Sequence, residues 1–255
     1  MDIEVAIFLA IASGFAGFVD AMAGGGGLIQ LPALILGLPN KELPLILGTN
    51  KVPSALGTTA AARNYFKNIK PDIPLTLTMM FPAFVGSIGG AYFAAEVPKE
   101  FFKPFIVLLL IAVVIYTWLK PELGMDEKLK FTHNKRLFFV ALIGLLIGFY
   151  DGIFGPGTGT FLVFFLVSGI GYAFLKASGT AKLVNLSTNI GAILSFQLTG
   201  HIWWQLGLLL AFANVTGAII GSKLAIRGGS PLVRKVFLLV TTLLIARVAW
   251  DTFIS

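Results

Sequence analysis

Two aspartates and two lysines lie inside or at the ends of long apolar stretches of this 255-residue sequence. A charge at membrane depth is expensive, and it usually marks an ion path, a proton relay or a binding site. Asp20 and Asp151 are therefore candidates for gating or proton coupling, with capping of a following helix as the alternative. Lys51 and Lys182 lie well inside their segments, and they would place positive charge near the membrane midplane.

Hydroxyl and amide side chains accompany both lysines. Ammonium, amide and hydroxyl groups all donate hydrogen bonds, so together they suit an oxyanion with several acceptor oxygens. We therefore predict an anion site, while snorkelling of the lysines, or their pairing with Asp20 and Asp151, stays open as the alternative. The predicted substrate-binding residues are Lys51, Lys182, Thr49, Asn50, Thr180 and Asn185.

Glycine-rich runs follow both aspartates. Successive glycines end a helix, since each costs about 1 kcal/mol there relative to alanine. A break at membrane depth must line a cavity or be buried in protein, and its free N–H groups suit an anion. Close helix packing through small residues is an equal alternative. The glycines at the two breaks are Gly24, Gly25 and Gly26, and then Gly155 and Gly157.

The elements that must position these residues are membrane helices. Hydrophobic residues make up 56% of the chain and charged residues only 12%, whereas an average soluble domain has about 25% charged residues. Apolar runs of about 20 residues cross a bilayer. The long runs lie at 3–19, 73–95, 101–119, 137–150, 203–226 and 232–250, and the shorter runs at 28–38 and 158–168 suit half-helices or re-entrant segments. We expect an all-α integral membrane protein with about 8–10 transmembrane helices. Without cysteine, disulfides and thiol chemistry are excluded.

The sequence contains two copies of one pattern. A shift of 131 residues places Gly17-Phe18-Val19-Asp20 on Gly148-Phe149-Tyr150-Asp151. The same shift places Gly48-Thr49-Asn50-Lys51 on Gly179-Thr180-Ala181-Lys182. We predict a first transmembrane repeat at residues 1–120, a cytoplasmic link at 121–136 and a second repeat at 137–255, with about five apolar segments in each repeat.

Basic residues indicate that the two copies face opposite sides of the membrane. The connection 63–70 contains Arg63, Lys67 and Lys70, whereas its counterpart 194–201 contains no lysine or arginine. Short connections rich in lysine and arginine lie on the cytoplasmic side. We therefore predict an inverted-topology repeat, multi-pass in the cytoplasmic membrane with both termini outside. Secondary transporters commonly have this architecture.

These motifs resemble those of the TauE/SafE family, the sulfite exporters. The resemblance covers nearly the whole chain and rests on Gly17-x-x-Asp20-x-x-x-Gly24-Gly25-Gly26-Gly27 followed by Gly48-Thr49-Asn50-Lys51, with both motifs repeated in the second half. The second half departs from the pattern, because Ala181 replaces the equivalent of Asn50 and because Pro156 and Thr158 interrupt the glycine run. The resemblance implies transport of sulfite or organosulfonates, often outward and coupled to protons.

We therefore expect a secondary transporter that moves a small anion by alternating access, as a proton-coupled exporter. Its partners would be the anion and the lipid bilayer, and a homo-oligomer is left open. No enzymatic activity, cofactor, metal site or nucleic-acid partner is expected. Three rivals stay open: a passive anion channel, a non-transporting scaffold, and a cation or metal exporter with Asp20 and Asp151 as ligands.

Overall fold

The computed structural model describes residues 2–94, 111 and 113–253, and all regular structure in these residues is helical. The predicted apolar segment 101–119 lies largely outside the described residues, although residues 113–119 are helical. The first half contains α1 (Ile3–Ala23), α2 (Gly27–Gly37), α3 (Leu43–Asn68) and α4 (Ile73–Phe93). The second contains α5 (His133–Ile153), α6 (Thr158–Phe165) with a π-helical turn (Leu166–Ile170), α7 (Phe174–Leu198) and α8 (Trp204–Phe253).

The helix α8 is broken at Gly229, which has φ 64° and ψ −168°. Glycine reaches this conformation without the steric cost that other residues carry. Pro231 follows, and its missing N–H also prevents a regular helix from continuing. The two apolar segments predicted at 203–226 and 232–250 are thus the two parts of α8, one on each side of the break.

The duplication predicted from the sequence is visible in the helix boundaries. The helix α2 begins at Gly27 and α6 at Thr158, α3 begins at Leu43 and α7 at Phe174, and α4 begins at Ile73 and α8 at Trp204. The two starting positions in each pair are therefore 131 residues apart, as predicted. The helices α1 and α5 are both 21 residues long. The two halves therefore share one order of elements, while their opposite orientation in the membrane stays a prediction.

Apolar side chains cover the outside of the helices, and a few charged groups are buried between them. Phe81 and Phe212, which are equivalent in the two halves, are 71% and 80% exposed, whereas Lys51 and Lys182 are 3% and 1% exposed. Water would not solvate such a surface, but lipid does. The helices α1, α4 and α5, together with Trp204–Leu243 of α8, are long and apolar enough to cross a membrane. The chain is a helical membrane protein.

Each outer helix packs against a helix of the other half through glycine. In the contact of α1 with α8, a Cβ on Gly217 would lie 1.9 Å from the main-chain oxygen of Gly14. In the equivalent contact of α5 with α4, a Cβ on Gly86 would lie 2.4 Å from the main-chain oxygen of Leu145. Small residues allow this backbone approach. The contacts hold α3 and α7, which carry the lysines and most of the buried polar groups, in the centre.

Candidate functional site

Two buried ion pairs link the halves reciprocally. Lys51 Nζ lies 2.8 Å from Asp151 Oδ2, and Lys182 Nζ lies 2.8 Å from Asp20 Oδ2. Each lysine therefore pairs with the aspartate of the other half, and the two pairs are equivalent under the 131-residue shift. Both lysine side chains are at most 4% exposed, so neither snorkels. Pairing, which the sequence left open, is what the structure shows.

The aspartates lie in the last turns of α1 and α5, just before the glycine breaks. In neither short helix that follows does a side chain cap the first turn, so the structure does not support a capping role for Asp20 or Asp151. The Asp151 carboxylate instead accepts a hydrogen bond from Thr158 Oγ1 at 2.7 Å. Lys51 Nζ also donates to the main-chain oxygen of Asp151 at 2.7 Å. The contact of Lys51 Nζ with Asp151 Oδ2 has the distance of an ion pair but lacks hydrogen-bond geometry. The hydrogen bond of Lys51 is therefore with the main-chain oxygen and not with the carboxylate.

The two glycine breaks contact each other in the middle of the molecule. Gly24 has φ +83°, and a Cβ on it would lie 2.2 Å from the carbonyl carbon of Gly159. Gly155 has φ +87°, and its Cβ would lie 3.0 Å from Lys51 Nζ. Both alternatives considered for these glycines therefore apply: they end helices in conformations that favour glycine, and they allow close approach.

The remaining glycines of the breaks serve the same two purposes. Gly157 has φ +86°, and a Cβ on Gly26 would lie 2.5 Å from both Ala16 O and Asp20 Cβ. Gly25 is buried between these positions. The breaks thus bring the ends of α1 and α5 and the beginnings of α2 and α6 to one place.

A small cavity lies at this meeting point, and both halves line it. Its volume is about 30 Å³, whereas a single water needs at least about 10–15 Å³. The cavity suits a few waters or one small ion. Its charged lining consists of Asp20, Lys51 and Asp151. Its other polar side chains are Asn50, Ser54, Thr158, Asn185 and Asn189.

Asn50 has the side chain best placed to bind a ligand here. It is 6% exposed and lines the cavity, and its Oδ1 has no hydrogen-bond partner within the described part of the chain. A buried polar atom without a partner is costly, so a bound group that satisfies it gains stability. Since the oxygen and nitrogen of an amide are assigned rather than observed, the Asn50 amide offers a donor or an acceptor to the cavity.

The structure brings together only part of the predicted binding set. Lys51, Asn50 and Asn185 line the cavity. Lys182 does not line it, but it contacts Asp20, which does. Thr49 is used elsewhere, because its Oγ1 accepts a hydrogen bond from the main-chain N–H of Trp203 at 2.9 Å.

Thr180, the equivalent of Thr49, also lies away from the cavity. It faces a separate narrow cleft beside Tyr65 and Lys176. Its buried hydroxyl has no hydrogen-bond partner among the described residues. The two threonines therefore do not share a role, although the sequence places them at equivalent positions.

Three lining residues with polar side chains were not in the predicted set. Ser54 and Asn189 each lie one helical turn after a predicted residue, Asn50 and Asn185 respectively. Side chains four positions apart share a helix face, so this spacing was a usable signal. Thr158 directly follows the second glycine break, and its equivalent in the first half is Gly27, which has no side chain. The role of Thr158 is apparent only from its contact with Asp151 in the structure.

The four charged groups sum to zero. Two buried ammonium groups face two carboxylates, which makes their burial tolerable, because an unpaired charge in the same place would cost several kcal/mol. Apolar helices around buried, mutually paired charges and a small polar cavity are typical of membrane proteins that move ions or small solutes. The fold and the site thus define a helical membrane transport protein.

Comparison with known proteins identifies the family. Residues 9–248 match the family model described as "Sulfite exporter TauE/SafE". This covers most of the chain, so the chain belongs to the TauE/SafE family, as the sequence motifs predicted. It is a membrane transporter of this type.

Curated relatives agree with this assignment. A "Probable membrane transporter protein ORF9" from Sinorhizobium sp is 36% identical over 96% of this chain and 92% of its own length. A "Probable membrane transporter protein" from Haemophilus influenzae is 31% identical over 98% of both. "Probable membrane transporter protein YfcA" from Escherichia coli K12 is 34% identical over 93% of this chain and 87% of its own length. No solved structure matches.

Proposed function

We propose that this protein is a secondary transporter that moves a small anion, sulfite or an organosulfonate, across the cytoplasmic membrane by alternating access. It works as an exporter coupled to protons. One observation carries the proposal: two reciprocal lysine–aspartate pairs join the halves at a polar cavity that Lys51 and the Asn50 amide line.

The donors around the cavity favour an oxyanion. Lys51 contributes an ammonium, and Asn50, Asn185 and Ser54 contribute amide and hydroxyl groups that donate to oxyanion oxygens. A volume of about 30 Å³ fits one small ion and not a bulky organic molecule. The family description names sulfite, which is a small oxyanion.

Reciprocal pairing supports alternating access. If the halves have opposite orientations, as the basic connections indicate, exchanging their conformations opens the same central cavity to the other side. The equivalent contacts of Lys51 with Asp151 and of Lys182 with Asp20 are compatible with such an exchange, since each half contributes one lysine and one aspartate to the site. Both termini would then lie outside, and the link at residues 121–136 would lie in the cytoplasm.

Sulfite flux in proteoliposomes tests the proposal. We expect Lys51→Met and Lys182→Met each to reduce flux at least about tenfold, because the loss of about 1.4 kcal/mol of anion binding already has this effect. The matched control is Lys176→Met, which removes a lysine from the exposed pair with Glu127 and should leave flux unchanged. Elution as a monodisperse peak confirms folding. Wild-type flux in both folded variants would remove the anion site from these lysines.

A cation is the second candidate, because one observation favours it. The Asp20 side chain is 19% exposed and lines the cavity, while Lys182 does not. Two carboxylates and one ammonium thus face the cavity directly. No group of three potential metal-ligating side chains occurs among the described residues. Transport of a divalent cation that Asp20→Asn abolishes, in vesicles without sulfite flux, would favour this candidate.

A passive channel would use the same cavity. It differs in one measurable property, because a channel only dissipates a gradient and a coupled transporter accumulates its substrate. Proteoliposomes with an imposed proton gradient and equal sulfite on both sides separate the two. Net sulfite movement under these conditions supports coupling, and its absence, together with rapid equilibration of a sulfite gradient, supports a channel.

A further inference from the structure

The two carboxylates of the site have unequal environments, although they occupy equivalent positions. The Asp151 side chain is 3% exposed and contacts both Lys51 and Thr158. The Asp20 side chain is 19% exposed, and its carboxylate has one partner among the described residues, Lys182. Asp151 is therefore held from two sides, while Asp20 is held from one side and open to the cavity on another.

Charge balance sets what an anion requires in this cavity. The two lysines and two aspartates sum to zero, so a singly charged anion placed among them leaves one uncompensated negative charge. Such a charge in a low-dielectric environment costs several kcal/mol. A proton taken up by one of the carboxylates removes that charge, because the site with a neutral carboxyl group has a net charge of +1 before the anion enters.

The surroundings of Asp20 make it the carboxylate that accepts the proton. The titratable groups that face it are Lys182 from α7, Tyr65 from α3 and, across the cavity, Lys51 from α3 and Asp151 from α5. The beginnings of α2 and α6 contribute only glycines and Thr158 to the lining. Neutralising Asp20 removes the negative charge from one contact only, that with Lys182, so the charge of this ammonium is no longer compensated and attracts the anion.

We propose that Asp20 takes up one proton for each singly charged anion that binds, while Asp151 stays ionised as the fixed counterion of Lys51. The proton comes from the solution on the side of loading, rests on the Asp20 carboxylate and leaves with the anion on the other side. No net charge crosses the membrane, so the gradients of the anion and the proton together set the direction. A cell that produces the anion thereby exports each anion together with one proton, which is equivalent to exporting the neutral acid. This inference rests on the proposed function.

Anion affinity as a function of pH tests the assignment. The probe is methanesulfonate, because its single charge does not change near neutral pH, and affinity is measured by calorimetry on the purified protein. Obligatory uptake of one proton weakens wild-type affinity by about tenfold per pH unit on the alkaline side. In Asp20→Asn, an isostere of the protonated acid, we expect affinity independent of pH. The matched double variant Lys51→Met with Asp151→Asn removes the other ion pair without changing the net charge of the site, so it should bind the anion more weakly but keep the wild-type dependence.

A second measurement does not depend on variants. Calorimetry in buffers of different ionisation enthalpy should report about one proton taken up per methanesulfonate bound to the wild-type protein. On solid-supported membranes we expect no current during wild-type transport and a current with Asp20→Asn, since the anion then crosses without its proton.

The outcomes separate this inference from the proposed function. Sulfite and methanesulfonate that neither bind nor cross would remove the proposed function itself. Binding by the wild-type protein without proton uptake would overturn the inference alone. A dependence on pH that persists in Asp20→Asn and disappears in the double variant Lys51→Met with Asp151→Asn would also overturn it, because the proton would then belong to Asp151.

Discussion

The two halves of this protein are alike where they contact each other at the site and differ in the groups around it. The ion pairs and the glycine contacts recur at equivalent positions in both halves. The proposed exchange between two conformations would require this shared part, because both halves would have to fill the same role in turn. We expect the groups that differ to give the two proposed conformations unequal energies.

A buried polar cluster is the clearest difference. Asn214 Nδ2 on α8 donates to the main-chain oxygen of Ser13 on α1 at 3.0 Å and to Gln30 Oε1 on α2 at 2.8 Å. The equivalent positions in the other half hold Gly144, Phe161 and Ala83, which carry no polar side chain. The contact of α1 with α8 therefore contains hydrogen bonds that the contact of α5 with α4 lacks.

The largest effect on stability is expected when one ion pair loses its lysine. Lys51→Met leaves the Asp151 charge buried and should lower the free energy of unfolding by about 3–5 kcal/mol. Lys182→Met should cost less, because Asp20 is more exposed. Thermal unfolding in detergent measures both losses. Adding Asp151→Asn to Lys51→Met should recover stability, and equal melting of the single and double variants would contradict a buried unpaired charge.

Alanine at the glycine contacts should have the next largest effect, and it should be similar in both halves. A Cβ on Gly90 would lie 2.0 Å from Phe149 O, and one on Gly221 would lie 2.3 Å from Phe18 O. Overpacking of this kind costs about 1–3 kcal/mol. The control is Gly89→Ala, whose Cβ would meet nothing closer than 3.8 Å. Very different melting temperatures for the two variants would show that the halves do not pack alike.

Removal of the polar cluster should have a smaller effect. Asn214→Ala, which introduces the residue of the other half, deletes the hydrogen bonds to Ser13 and Gln30. We expect a loss of about 1–2 kcal/mol, since a buried hydrogen bond contributes about 0.5–1.5 kcal/mol. Thr216→Val on the same helix is the control, because that hydroxyl is exposed and bonds only within its helix. If the polar cluster favours one conformation, the accessibility of cavity residues to a labelling reagent should change as well.

The smallest effect is expected at the equivalent threonines. Thr49→Val removes the acceptor of the Trp203 N–H and should cost about 1 kcal/mol. Thr180→Val removes a buried hydroxyl that has no partner among the described residues, so it should be neutral or slightly stabilising. Chemical denaturation of the two variants side by side checks the difference. Equal losses would mean that Thr180 has a partner equivalent to Trp203.

Much of the fold was predictable from local patterns. The apolar runs and the glycine breaks at Gly24 and Gly155 depend on neighbouring residues alone, and the helices begin and end accordingly. The predicted offset of 131 residues recurs in the helix boundaries. The buried positions of Lys51 and Lys182 followed from their depth within the segments.

The composition of the site was only partly predictable. Residues adjacent in sequence to a lysine point to different sides of its helix, since successive residues are about 100° apart. Thr49 and Thr180 were therefore expected at the site and lie elsewhere, whereas Ser54 and Asn189 lie one turn further along and line the cavity. Side-chain direction around a helix matters more here than distance along the chain.

The sequence by itself determined the class of protein, the two repeats and the four charges, because hydropathy, glycine content and spacing are local quantities. Only the tertiary structure decided that each lysine pairs with the aspartate of the other half, and that Asp20 faces the cavity more openly than Asp151. Contacts between residues 100 or 162 positions apart depend on how the helices pack. No local pattern records that packing, because it results from all the helices burying their polar faces together.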